Sequence, residues 1–164
     1  MELFRILLGT STLLCSLVAG LVFTFAVVIM PGLRSLGNHD FLRAFQVIDR
    51  VIQNGQPLFV LVWLGSALVT IASTAFGVFK LEGFDRLLII AAAATYLLAV
   101  QLPTITINVP LNNALQRQEL AGLDEPTLLE ARRSFERRWV RWNLIRTIAA
   151  VVTCILLIVV QHRV

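Results

Sequence analysis

The sequence contains few of the side chains from which proteins build disulfides and metal sites. Among 164 residues there are two cysteines and two histidines. Cys15 and Cys154 lie in separate apolar runs, without a C-x-x-C or metal-ligand spacing, so neither a disulfide framework nor a thiol relay is indicated. His39 and His162 stand far apart, the second beside the C-terminus. We therefore expect no metal site.

Charged residues are also scarce, at 15% of the chain, whereas 57% of the residues are hydrophobic. The mean hydropathy is +0.81. A soluble globular chain is typically about 45–50% apolar, so the composition indicates an integral membrane protein. The length suits a single domain that covers residues 1–164.

Four apolar runs are long enough to cross a bilayer as helices, which takes about 20 residues each. They cover residues 6–30, 57–79, 87–109 and about 144–160. The first run exceeds the roughly 7–15-residue core of a signal peptide, so we expect a membrane helix there as well. The runs are continuous rather than alternating, which argues against a transmembrane β-barrel. The expected fold is all-α: an integral membrane four-helix bundle with short interfacial helices in the first and third loops.

The first and third loops contain the segments expected to form these extra helices. In the first loop, four apolar side chains fall at i, i+4, i+7 and i+11 and form one stripe on a helix: Phe41, Phe45, Ile48 and Ile52. The charged residues Asp40, Arg43, Asp49 and Arg50 are placed off that stripe. This helix should lie in the membrane interface or pack on the end of the bundle. In the third loop, Asp124-Glu125-Pro126 is typical of a helix start, and the helix should run directly into the fourth span.

The basic residues predict how the chain is oriented. Ten of the fourteen lysine and arginine residues fall in the first and third loops, and four fall on the opposite side. Because such residues accumulate in cytoplasmic loops, we expect both long loops in the cytoplasm and both termini outside. Topology and anionic lipid headgroups explain the net charge of +4. Membrane lipids are therefore the expected partners, and no nucleic acid is expected.

The stretch TITINVPLNNALQ places uncharged hydrogen-bonding groups where the third span ends. Thr104, Asn108 and Asn112 follow one another at i, i+4 and i+8, so they share a helix face. Pro103 and Pro110 each remove a backbone donor and free a carbonyl one turn earlier. Polar groups at membrane depth can satisfy such carbonyls. A helix end that packs on its neighbours, or marks the headgroup boundary, would show the same residues.

A second polar group opens the fourth span. Trp139, Trp142, Asn143 and Arg146 fall at i, i+3, i+4 and i+7 and form one continuous helix face. An aromatic belt and a snorkelling arginine would explain the tryptophans fully. They explain Asn143 and Arg146 less well, because both lie deeper, and intramembrane polar groups usually face the bundle interior.

Both polar groups lie on the same side of the membrane, because the third span ends where the fourth begins. A four-helix bundle would bring them together with aromatic residues of the first two spans. Arginine, amides and aromatic walls predict a pocket for a flat, phenolic or anionic ligand. Neither group contains a carboxylate that could act as a base. Asp49 could reach the pocket only if the first loop folds over it.

The pieces NVPLNNAL and WVRWNLIRT, together with AGLVFTFAVVIMPGL and FQVIDRVIQNGQPLF upstream, resemble the anthrone oxygenase-like family of small four-span membrane proteins, also called DUF1772. The resemblance covers nearly the whole chain. It implies a membrane-embedded helical bundle. Fungal members of the family take part in oxidising polyketide anthrones to anthraquinones with molecular oxygen, without metal or flavin. The matching positions are Asn108, Pro110, Asn112, Trp139, Trp142, Asn143 and Arg146.

The resemblance implies a cofactor-independent oxygenase that acts on an aromatic, anthrone-like or phenolic substrate and O2. The expected catalytic residues are Asn108, Asn143 and Arg146, which would stabilise an enolate. The expected substrate-binding residues are Asn112, Trp139, Trp142 and Thr104.

Two other classes of function stay open at this point. One is a non-catalytic membrane protein that binds a lipid, a quinone-like molecule or a partner protein. The other is a small transporter, which the absence of an intramembrane acid disfavours. Small residues in the second span permit close helix packing, so a homo-oligomer is also left open.

Overall fold

The computed structural model describes residues 2–164 and contains, within them, five helices and no strand. These are α1 (Glu2–Arg34), α2 (Asn38–Gln53), α3 (Pro57–Lys80), α4 (Gly83–Gln116) and α5 (Glu125–Arg163). All except α2 are long and apolar enough to cross a membrane. The prediction of an all-α, four-helix membrane bundle is confirmed.

The four long helices form a ring in which each packs against two neighbours. Helix α1 packs against α3 and α5, and α4 packs against the same two helices from the other side. The buried core between them includes Leu8, Cys15, Tyr96 and Leu157. The outward faces are also apolar; Leu68, for example, is 66% exposed. A helix that is hydrophobic all round is typical of a membrane span.

Three prolines widen the helices toward one end of the bundle. Met30, Leu102 and Val109 each donate their backbone N–H to the fifth carbonyl before them rather than the fourth. Each of these residues directly precedes a proline. A proline ring clashes with the carbonyl four residues earlier and supplies no N–H of its own, so the local wide turn accommodates it. The wide turns in α1 and α4 adjoin the polar residues of the fourth span.

Helix α2 packs on the end of the bundle at which α1 and α4 end. It contacts α5, the last turns of α4 and the end of α1. Phe41 and Phe45 are buried, as the apolar stripe predicts. The sequence pattern placed Asp49 off this apolar stripe, but its side chain is buried and only 2% exposed. Asp49 lies one helical turn after Phe45, so it shares the face that α2 turns toward the bundle.

The helix predicted in the third loop runs directly into the fourth span, as expected, so it forms the first part of α5 rather than a separate short helix. The Asp124 carboxylate accepts the Thr127 N–H at 3.2 Å and caps the helix. The hydrogen bonds from Thr127 lower the pKa of Asp124. Arg132 then donates to the carbonyls of Leu36 and Arg34 at 2.9 and 3.1 Å. These bonds fix the start of α5 to the segment between α1 and α2.

Candidate functional site

A cavity of about 270 Å³ lies at the end of the bundle that α2 covers, and all five helices contribute to its wall. This volume is just below the roughly 300–1,000 Å³ that is typical of small-molecule sites. It is lined by Leu21, Val22 and Phe25 of α1; Phe45, Asp49 and Ile52 of α2; Phe59 and Trp63 of α3; Thr104, Ile105, Asn108, Val109 and Asn112 of α4; and Trp139, Asn143 and Arg146 of α5. Most of these side chains are apolar, so a largely hydrophobic ligand fits best.

Arg146 is a buried cation without a carboxylate partner. Its side chain is 5% exposed, and its guanidinium donates to Thr104 Oγ1 at 2.8 Å and to Asn143 Oδ1 at 2.9 Å. The guanidinium carbon also lies 5.8 Å from the ring centroid of Trp139, within cation–π range. Neutral partners offset only part of the several kcal/mol that burying a charge costs. A charged group kept under these conditions inside a membrane bundle marks a functional site by default.

Two amides extend the polar wall on either side of Arg146. Asn143 accepts from Arg146 and donates to the backbone carbonyl of Val22 at 3.0 Å, which ties α5 to α1. Asn108 donates to the carbonyl of Trp139 at 3.4 Å. The oxygen of Asn108 and Nε of Arg146 are buried without a hydrogen-bond partner. The same wall therefore contains one acceptor that lacks a donor, Asn108 Oδ1, and one donor that lacks an acceptor, Arg146 Nε.

Asp49 is the acid of the cavity, and three amides hold it in place. Asn112 donates to its Oδ1 at 2.7 Å. Gln53 and Gln116 donate to its Oδ2 at 2.6 and 3.0 Å. The oxygen of Asn112 in turn accepts the indole N–H of Trp139 at 2.8 Å. Both carboxylate oxygens thus act as acceptors, as in an ionised carboxylate.

The carboxylate and the guanidinium line one cavity without meeting. Within residues 2–164, Asp49 and Arg146 form no ion pair with each other or with any other residue. Their partners on α4, Asn112 and Thr104, are eight residues apart, which is about 12 Å of helix, so the two charged groups lie at different depths of the bundle. The arrangement provides a base at one position and a site for a developing negative charge at another.

Aromatic rings form much of the remaining wall. The Trp139 ring lies 5.5 Å from Phe25 and 5.3 Å from Phe45, measured between centroids. On the α3 side, Phe59 and Trp63 stack almost in parallel, with centroids 5.6 Å apart and ring planes at 14°. Such surfaces suit contact with fused aromatic rings.

Six of the seven residues expected from the sequence line this cavity: Thr104, Asn108, Asn112, Trp139, Asn143 and Arg146. Trp142 does not. It lies on the outer side of α5, in a shallow surface depression with Arg138 and Arg141. Trp142 misses the cavity because it lies at the edge of the helical face that the other three residues of α5 share.

From the sequence, Asp49 was expected to reach the pocket only if the first loop folds over it, which α2 does, and Trp63 was not identified as a wall residue. The i, i+4 relation of Phe45 and Asp49 was a usable signal, because such residues lie on the same side of a helix. Nothing in the apolar sequence around Trp63 marks it as different from a lipid-facing tryptophan.

Comparison with known proteins identifies the family to which the chain belongs. The family model described as anthrone oxygenase matches residues 49–156. The matched region begins at Asp49 and contains every predicted site residue. Neither the curated proteins nor the solved structures include a significant match. Since the matched region covers more than half of the sequence, this chain belongs to the anthrone oxygenase family.

Proposed function

We propose that this protein is a membrane-embedded oxygenase that oxidises a hydroxylated anthrone or a similar phenolic aromatic compound with O2, without metal or flavin. The observation that carries the proposal is the cavity in which Asp49 and Arg146 are both buried, each unpaired with an opposite charge. Family membership supports the same type of reaction.

The unpartnered polar atoms suggest how such a substrate would bind. Its keto oxygen would accept from Arg146, whose Nε has no partner in the protein. A phenolic hydroxyl beside the keto group would donate to the free oxygen of Asn108. Filling both positions removes the cost of burying unsatisfied polar atoms, about 1–3 kcal/mol for each. The fused rings would lie against Trp139 and its aromatic neighbours.

The first chemical step is proton transfer to Asp49. The methylene carbon of an anthrone lies across the central ring from the keto oxygen, and loss of its proton moves an electron pair onto that oxygen. Asp49 would take the proton, and Arg146 with Thr104 and Asn143 behind it would stabilise the oxyanion. The hydrogen bond from Asn112 to Asp49, with Asn112 itself held by the indole N–H of Trp139, would keep the carboxylate in position for this transfer.

The second step uses O2 as the oxidant. The electron-rich anion transfers an electron to O2, which gives a substrate radical and superoxide. These two radicals combine and form a carbon–oxygen bond at the former methylene carbon. The peroxide anion takes back the proton from Asp49. Loss of the second hydrogen of that carbon as a proton then forms the new carbonyl and breaks the O–O bond. The hydroxide that leaves takes up this proton and becomes water. One substrate and one O2 give one quinone and one water.

The test is the oxidation of a dihydroxyanthrone by the purified protein in nanodiscs, followed by oxygen uptake and quinone absorbance. We expect one O2 consumed per quinone, a label from isotopic O2 in the new carbonyl, and no product under nitrogen. Empty nanodiscs give the spontaneous rate. A protein that binds the anthrone saturably but adds nothing to that rate would contradict the proposal and support a non-catalytic binder of quinone-like ligands.

A further inference from the structure

The cavity is closed toward the aqueous end of the bundle. Helix α2 packs across that end through Phe45 and Asp49, which both line the cavity and are both buried. Two side chains of α4 hold this cover in place. Asn112 donates to Asp49 at 2.7 Å, and Gln116 donates to the backbone carbonyl of Gln46 at 2.8 Å. In the opposite direction, the Gln46 side chain of α2 donates to the backbone carbonyl of Leu115 of α4 at 2.8 Å.

The side of the cavity between α3 and α4 is different. Helix α3 packs against the first half of α4, Gly83–Tyr96, whereas the second half of α4 packs on α5 and α2. The wall there consists of Phe59 and Trp63 from α3 and Ile105 and Val109 from α4. Ile105 is 65% exposed and Val109 is 41% exposed, although both also line the cavity. The wall on this side is thus one side chain thick.

The surface outside these four residues, which we call the α3–α4 opening, is apolar. Leu61 and Leu64 of α3 and Leu102 of α4 are exposed around it. None of these positions is charged, and the helices that carry them are long and apolar enough to span a bilayer. The opening therefore faces acyl chains rather than water.

We propose that the ligand reaches and leaves the cavity sideways, through the α3–α4 opening, directly from the lipid bilayer. This inference rests on the proposed function for the class of ligand and narrows it. The substrate is a flat, fused-ring aromatic compound that is dissolved in the membrane, and its product returns there. The parallel rings of Phe59 and Trp63 provide a stacking surface along one edge of the path.

The route predicts which surface positions control exchange. A tryptophan at position 105 or 109 would add bulk at the opening and leave Asp49 and Arg146 themselves unchanged. Leu98 is the matched control, because it is on the same helix, 64% exposed and not part of the cavity wall. The variants are therefore Ile105→Trp, Val109→Trp and Leu98→Trp.

The experiment measures exchange rather than chemistry. Protein nanodiscs of phosphatidylcholine and phosphatidylglycerol are loaded with dihydroxyanthraquinone, a compound of the product class that cannot be oxidised in the same way. Its release into an excess of empty nanodiscs is followed by fluorescence. We expect Ile105→Trp and Val109→Trp to slow exchange by about tenfold, which corresponds to a barrier higher by roughly 1.4 kcal/mol. Leu98→Trp should exchange at the wild-type rate.

The outcomes separate this inference from the proposed reaction. Exchange at the wild-type rate in both opening variants overturns the lateral route, and so does a wild-type protein that retains no quinone. If exchange slows as expected but no anthrone is oxidised, the route holds and the catalytic proposal fails. If oxidation occurs with unchanged exchange in the variants, catalysis holds and the ligand uses another route.

Discussion

At the scale of single residues, the site depends on buried charged and amide side chains that each have two roles. Arg146 is buried by the bundle yet keeps one N–H without a partner. Asn112 both orients the carboxylate of Asp49 and accepts the indole N–H of Trp139. These groups are costly to bury, and their arrangement leaves hydrogen-bonding capacity for a ligand.

Replacing Arg146 tests its role as the stabiliser of the oxyanion. In Arg146→Gln the positive charge is lost, and we expect kcat for anthrone oxidation to fall by about 10²–10³, as when a single oxyanion donor is removed elsewhere. Arg141→Gln is the control, because Arg141 is exposed on the same helix. Equal rates for the two variants would show that Arg146 serves only packing or topology.

Asn112 gives a prediction about stability that does not depend on catalysis. In Asn112→Leu the indole N–H of Trp139 and Oδ1 of Asp49 both lose their partner. The loss should destabilise the protein by about 1–3 kcal/mol for each buried group. Thermal unfolding in detergent, followed by tryptophan fluorescence, measures the change. Asn113→Leu, at the exposed neighbouring position, should unfold near the wild-type temperature; a similar loss in both would argue against the network.

At the scale of helices, the sequence predicts most of the architecture because hydropathy alone defines four spans. Hydropathy alone could not show that α1 and α4 extend beyond their apolar runs, since polar helical turns carry no hydropathy signal, whereas Asp124-Glu125-Pro126 marked the start of α5. Pro103 and Pro110 were visible in the sequence and predicted freed carbonyls, but not that the helix would accommodate each ring by a local wide turn. Asp49 was misplaced because its local surroundings are charged, and only the packing of α2 against α4 buries it.

The contact of α3 with α1 and α4 leaves little room for a side chain at Gly77. A Cβ there would lie 2.7 Å from Ile89 Cδ1 and 3.3 Å from both Ile89 Cγ2 and Phe4 Cε2. We expect Gly77→Ala to lower stability by about 1–3 kcal/mol through overpacking. Gly20→Ala is the control, since its Cβ would meet nothing within 4 Å, and alanine is the better helix former. Thermal unfolding should therefore shift down for Gly77→Ala only, and a matching shift for Gly20→Ala would refute the packing argument.

At the scale of the whole molecule, one end carries the cavity, the cover formed by α2 and most of the basic residues. Arg132 joins the start of α5 to the end of α1 and the residues after it through two backbone carbonyls, and Glu136 of α5 pairs with Arg34 of α1 at 2.6 Å. At the opposite end, Arg5 donates to the carbonyl of Val164 and Arg163 pairs with Asp85, and both contacts are exposed.

The excess of arginine at the cavity end predicts its orientation in the cell. We expect this end to face the cytoplasm and both termini to lie outside. Single cysteines at Arg43 and at Glu82, in a background without Cys15 and Cys154, should differ in labelling by a membrane-impermeant maleimide on intact cells. Glu82→Cys should react and Arg43→Cys should react only after lysis; the reverse pattern would invert the topology.

The central claim is that the cavity performs base-assisted oxidation, and Asp49→Asn tests it most directly. The change preserves the size of the side chain and removes the carboxylate. Asp40→Asn, on the exposed side of the same helix, controls for the loss of an acid. The measurement is the initial rate of dihydroxyanthrone oxidation at saturating O2, with the spontaneous rate subtracted. We expect the rate to fall by about 10²–10⁴ for Asp49→Asn and to stay at the wild-type value for Asp40→Asn. A folded Asp49→Asn protein with the wild-type rate would show that Asp49 is not the base.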